Sequence, residues 1–156
     1  MEDIARVCAQ LTKLGGSLIN DLTDSDLAAS SGPHGKTAGW LLGHLCITGD
    51  FVRRKCGRAP LTPKEWGPKF NMGTQPSSVA SDYPPMGELR SAFEKVYADL
   101  AAMAPTISAE VLAGATPFEP ARARFPTMGA FATWVMTGHL GYHLGQLSGW
   151  RVARNK

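Results

Sequence analysis

The chain has 156 residues, 44% hydrophobic and 19% charged, with a formal charge of +3. That length and balance fit a single soluble domain with its own core. The charge is mild, and Arg53-Arg54-Lys55 is its longest basic run, so nucleic acid is not an expected partner. Cys8, Cys46 and Cys56 are three cysteines without C-x-x-C spacing, which argues against a disulfide framework or a zinc ribbon.

The N-terminus opens on Glu2 and Asp3 and shows no basic-then-apolar leader. No apolar run long enough to span a bilayer is present either, so a cytoplasmic location is expected. The first predicted helix runs from about Asp3 to Asn20, with Ile4, Val7, Leu11, Leu14, Leu18 and Ile19 as its apolar stripe. Thr23-Asp24-Ser25-Asp26-Leu27 reads as a short capped turn, and Ser30 to Gly35 as a loop. That loop contains His34, expected at the surface and not as a ligand.

The second helix is predicted from an N-cap at Thr37 to Cys56, closed by Gly57. Trp40, Leu41, His44, Ile47, Thr48, Phe51 and Val52 share its inward face. Arg53, Arg54 and Lys55 fall in its last turn, where cations suit the helix dipole.

Six prolines between Arg58 and Pro85 exclude a long regular element, yet the segment carries Trp66, Phe70, Met72 and Tyr83. An ordered connection packed across one end of a bundle is expected. The third helix takes Met86 to Met103, with Leu89, Phe93, Val96, Tyr97 and Leu100 inward. A second connection follows to Pro126, with a helical turn at Ser108–Val111, and the fourth helix runs from Thr127 to about Arg151.

The fourth helix contains Thr137-Gly138-His139-Leu140-Gly141-Tyr142-His143-Leu144-Gly145-Gln146-Leu147. Residues four apart stack on one helix face, so His139 and His143 can present two imidazoles to one point, half of a transition-metal site. Ala132, Val135, Met136, Gln146, Leu147 and Trp150 continue their stripe. His44 is a third inward imidazole, out of four histidines in the chain. Such a group is either a shared metal site or a set of core histidines bonded to carbonyls and hydroxyls.

Other signatures fail. H-E-x-x-H needs Glu where Leu140 stands, and no Glu in the chain has His three residues on. No serine or cysteine stands out as a nucleophile beside these histidines.

Trp40-Leu41-Leu42-Gly43-His44-Leu45 and His139-Leu140-Gly141-Tyr142-His143-Leu144-Gly145-Gln146-Leu147, in that order, resemble the helix-two and helix-four motifs of the DinB/YfiT-like family of metalloenzymes. The resemblance implies an all-α four-helix bundle over residues 1–156, with long connections between helices two and three and between three and four. It implies His44, His139 and His143 as ligands of a divalent metal (zinc, nickel, manganese or iron); Gln146, three residues past His143 on the same stripe, is expected to support them without itself binding the metal. It also implies a small-molecule substrate and a low-molecular-weight thiol of bacillithiol, mycothiol or glutathione type, used for S-transfer or isomerisation; hydrolysis of a small molecule is the related outcome. The alternative is a non-catalytic metal-binding or stress-related bundle protein. A homodimer is expected, because bundle helices can bury apolar faces against a twofold mate.

Overall fold

The structure is a computed structural model that describes residues 1–32 and 35–156. Its architecture is all-helical. Four long rods form the bundle: α1 (Glu2–Ile19), α2 (Ala38–Lys55), α4 (Met86–Met103), and a composite rod of α6 (Met128–Trp134), a π-helical turn (Val135–His139) and α7 (Leu140–Ala153). Two short helices, α3 (Trp66–Phe70) and α5 (Ala109–Ala113), lie in the two connections. None of the helices among the described residues is long and apolar enough to cross a membrane.

The packing of α1 differs from its expected stripe. Its buried face is made of small residues, Ala5, Cys8 and Gly15, together with Ile19, while Val7 and Leu14 are 46% and 51% exposed. The reason is a close helix–helix approach: a Cβ on Gly15 would stand 2.6 Å from the Phe93 ring of α4. Bulky side chains do not fit that seam, so Ile4, Leu11 and Leu18 sit half-buried on its flank.

The ends of the rods show how they run. Asp24 caps α4, its carboxylate accepting from the Met86 amide at 2.7 Å, and Arg90 donates to the Leu22 carbonyl. At the same end Arg151 bonds Leu18 and Asp21, and Trp150 Nε1 donates to the Ala29 carbonyl. That end therefore holds the C-termini of α1 and α7 and the N-terminus of α4. Thr37, the α2 N-cap, accepts from the Trp40 amide and reaches the Tyr83 hydroxyl at 3.0 Å, so α2 also starts there. Helices α2 and α4 consequently run in the same direction, and the chain between them must travel back the full length of the bundle.

Residues 56–85 thus run along α2, not across one end as the sequence reading expects. Near the end of α2, the buried Asp50 carboxylate accepts from the Leu61 and Thr62 amides and the Thr62 hydroxyl, and pairs with Arg53 at 2.6 Å. Arg53 in turn reaches Asp99 on α4 at 2.7 Å. Midway, Trp66 and Phe70 bury their rings against α2 (3% and 1% exposed). Further back, Trp40 Nε1 donates to Thr74 Oγ1 at 2.8 Å, and Tyr83 closes against Thr37. Met72, the fourth large apolar residue of the segment, stays 64% exposed.

Helix α2 is central and buried on nearly all sides, including Gly43. A Cβ there would stand 2.5 Å from the Phe70 ring, so the absence of a side chain is what lets α3 dock. Gly→Ala inside a helix normally stabilises by about 1 kcal/mol. For Gly43→Ala the sign is expected to reverse, with a loss of about 1–3 kcal/mol from overpacking and faster proteolysis between Arg58 and Pro85. Urea denaturation and limited proteolysis check this; a gain in stability would mean that Phe70 does not seat on Gly43.

Candidate metal centre

The sequence places His44 two turns into α2, one turn after Trp40, whose indole stacks on it at 4.7 Å and 10°. His44 Nδ1 lies 2.7 Å from the Phe70 carbonyl. A carbonyl only accepts, so Nδ1 carries the proton and Nε2 keeps its lone pair. On the opposite rod, His143 Nδ1 lies 2.7 Å from Gln146 Oε1, and the Gln146 amide nitrogen donates to the Tyr142 hydroxyl at 3.2 Å. The same logic leaves His143 Nε2 as a free donor atom.

His139 completes the cluster. Its Nε2 is 3.1 Å from His44 Nε2, and each of the three residues offers a ligand atom within 4.8 Å of the others. Two nitrogens at about 2.0–2.1 Å from one tetrahedral ion stand roughly 3.3–3.4 Å apart, close to the separation of the His44 and His139 pair. The rings are inclined to one another by 53°, 75° and 74°, which is a convergent arrangement and not a stack. His139 Nδ1 is buried with no hydrogen-bond partner among the described residues. Unlike its two companions, this ring has no outer anchor, and its orientation depends on what its Nε2 binds.

The π-turn brings His139 into place. The buried residues of α6 (Met128, Phe131, Ala132) and those of α7 (Leu140, His143, Leu144, Leu147, Trp150) belong to faces offset by about one residue of helical phase. The wide turn at Val135–His139 absorbs that offset, as an extra residue in a helix does. Gly138 makes room for the Trp134 ring, with which a Cβ there would collide. The sequence reading of a single uninterrupted stripe misses this, because Ala132, Met136, Leu140 and Leu144, four apart and all buried, keep the apolar pattern continuous across the turn.

Burial holds all three imidazoles in the neutral state. It pulls His139 down to about 3, helped by the nearby His143 and His44. It pulls His143 down to about 4, with His44 and Lys36 adding to the effect and the Gln146 hydrogen bond opposing it. His44 is lowered from its ordinary value by burial, against the Phe70 carbonyl. At neutral pH the cluster therefore offers three lone pairs and no charge. No carboxylate joins it among the described residues.

Trp40, Trp134 and Tyr142 surround it. Trp134 lies edge-on to His139 at 6.4 Å and stacks on Phe125, and Tyr142, 60% exposed, lies edge-on to His143 at 5.0 Å. Sequence reasoning did not assign Trp134, Tyr142 or the Phe70 carbonyl to the site; a main-chain acceptor from a proline-rich connection leaves no side-chain signature. His34 lies outside the described residues. The cysteines stay apart from the site: Cys46 Sγ faces the Leu89 carbonyl on α4, and burial pushes the Cys8 thiol up to about 11.

A family description, the DinB superfamily, matches residues 16–147 of the sequence. The chain belongs to the DinB superfamily. Among solved structures it is similar to a conserved protein from Enterococcus faecalis, with a TM-score of 0.69 at 15% identity, covering 98% of this chain and 96% of that one. At that identity the likeness is one of fold. No curated protein matches.

The depressed histidines predict a pH dependence. Their folded values lie below the ordinary 6.5, so the folded state binds fewer protons than the unfolded one as pH falls from 6.5 toward 3. Their contribution to stability is complete above that window and lost on descending through it. Denaturation of the metal-free protein across this range should show stability declining already in its upper part, above the carboxylate range. A flat profile there would contradict neutral burial of the triad.

Proposed function

We propose that His44, His139 and His143 hold a divalent metal (zinc, nickel, manganese or iron) and that the protein is a metal-dependent enzyme. Its substrates would be a low-molecular-weight thiol of bacillithiol, mycothiol or glutathione type and an electrophile, joined by S-transfer or isomerised; hydrolysis of a small molecule is the related alternative. The observation that carries the reading is the donor set. Three neutral imidazoles converge, and two have their outer nitrogens fixed by Phe70 and Gln146. Three protein ligands leave coordination positions open, as catalytic sites do and closed structural sites do not.

A divalent ion held there would supply Lewis acidity, favouring the thiolate or hydroxide form of a bound thiol or water at neutral pH. The chain's own residues do the positioning. The Phe70 carbonyl and the Gln146 amide fix two ligand tautomers, and Tyr142 holds the Gln146 amide in turn. Gln146 has no proton-accepting capacity at neutral pH, so its role is orientation and not general base catalysis. The partly exposed rings of Trp134 and Tyr142 offer apolar surface to the non-reacting part of a substrate.

Metal analysis of the purified protein and titration of the metal-free form test the reading. Wild type should carry near-stoichiometric metal, and His44→Ala, His139→Ala and His143→Ala should each lose it. Gln146→Ala should keep its fold and bind about 10–100-fold more weakly. Metal affinity unchanged in the histidine variants would refute the site; metal bound without any effect of added thiols on its spectrum would refute the thiol chemistry.

A further inference from the structure

Helix α1 carries an apolar row that the bundle does not use. Ile4, Val7, Leu11, Leu14 and Leu18 follow one another by alternating steps of three and four, the period of about 3.5 with which one helix seats on another. The core takes a different row of this helix, Ala5, Cys8, Gly15 and Ile19. Val7 and Leu14 are left exposed, and Ile4, Leu11 and Leu18 are only partly covered.

Alongside that row, α7 presents the opposite relief. Gly141, Gly145 and Gly149 recur at every fourth residue on one face of α7, and a Cβ on Gly145 or Gly149 would meet nothing within 4 Å. A Cβ on Gly141 would stand 3.9 Å from Leu11, and one on Gly15 would stand 3.1 Å from Leu144, so Leu14 and Gly145 lie at the same height on parallel helices. Val152, one turn on from the last of these glycines, is 75% exposed. Two adjacent helices thus form one face, bulky on α1 and hollow on α7. The basic residues of α1 keep off it: Lys13 lines a groove shared with α4, and Arg6 sits one heptad earlier on the same flank. Glu2 and Asp3 balance those two charges, which disfavours an anionic membrane or nucleic acid as the cover.

We propose that a second copy of this chain covers the face. A twofold axis parallel to the two helices lays α1 of each copy over α7 of the other, so that Leu14 enters the open position at the partner's Gly145, and the reverse contact forms with it. An isologous interface must fit itself, and a face holding both the ridge and the trough meets that requirement. The area is sufficient. A helix of 18 residues is about 27 Å long and two side by side are about 20 Å wide, roughly 500 Å² per copy. A pair then buries about 1,000 Å², where specific interfaces begin. This assembly is independent of the metal reading.

Light scattering and sedimentation of the full chain at tens of micromolar test it. Wild type should be a dimer. Leu14→Glu and Gly145→Arg, both at open positions, should keep their helical circular dichroism and weaken the dimer by about tenfold or more. Val79→Glu, an equally exposed apolar position in the first connection, should leave it intact. Cross-linking reads the arrangement: Leu14→Cys mixed with Gly145→Cys should give a disulfide-linked dimer on oxidation, and neither variant should do so alone. A monomeric wild type overturns the proposal, as does a dimer unaffected by Leu14→Glu. Cross-linking of Leu14→Cys with itself, or none in the mixture, overturns the placement of α1 on the partner's α7.

Discussion

Helices α2 and α4 run the same way, and that single constraint shapes most of the molecule. The intervening chain has to retrace the bundle, and in doing so it passes every functional position of α2 in reverse order. It meets Asp50 first, then Gly43 and His44, then Trp40 and finally Thr37. A connection that could have been mere span thereby becomes a wall of the site. The contact at its middle, His44 Nδ1 on the Phe70 carbonyl, is buried on both sides and fixes which nitrogen of the ring faces the other two histidines. Without a docked α3, the buried imidazole would lose its acceptor, and an unsatisfied buried donor of this kind costs about 1–3 kcal/mol. Folding of the connection and formation of the site are one event.

The buried ion-pair network at the far end works toward the same result. Asp50 holds the first turn of the returning chain with three hydrogen bonds while Arg53 ties α2 to α4 through Asp99. The start of the connection is therefore fixed to the two helices it joins, and its long polar path is anchored at intervals by side chains from α2. Prolines in the segment reduce the entropy lost on ordering it, and the burial of Trp66, Phe70 and Tyr83 offsets part of the remainder.

Much of this was legible in the residues. Helical periodicity places α1, α2 and α4 within a residue or so of their ends, because Thr37 and Gly57 at α2 and Pro85 before α4 are strong local signals. The three histidines were legible because a residue type that rarely occurs three times on inward faces did so here. What escaped was set by tertiary contact. The identity of the buried face of α1 depends on how close Phe93 comes to Gly15, a distance no single helix encodes. The path of residues 56–85 depends on the relative direction of α2 and α4. The Phe70 carbonyl and the rim formed by Trp134 and Tyr142 come together only once those directions are set.

The wide turn at Val135–His139 carries a consequence for how this rod can change over generations. Gains and losses of single residues are ordinarily confined to surface loops, since inside a buried helix they rotate everything downstream. Here the rod already holds one surplus residue at its midpoint, so the two halves are geared separately. The half bearing Phe131 can drift to follow its neighbours while the half bearing His143 and Trp150 keeps its register, and the seam between them is the place where length variation is least disruptive.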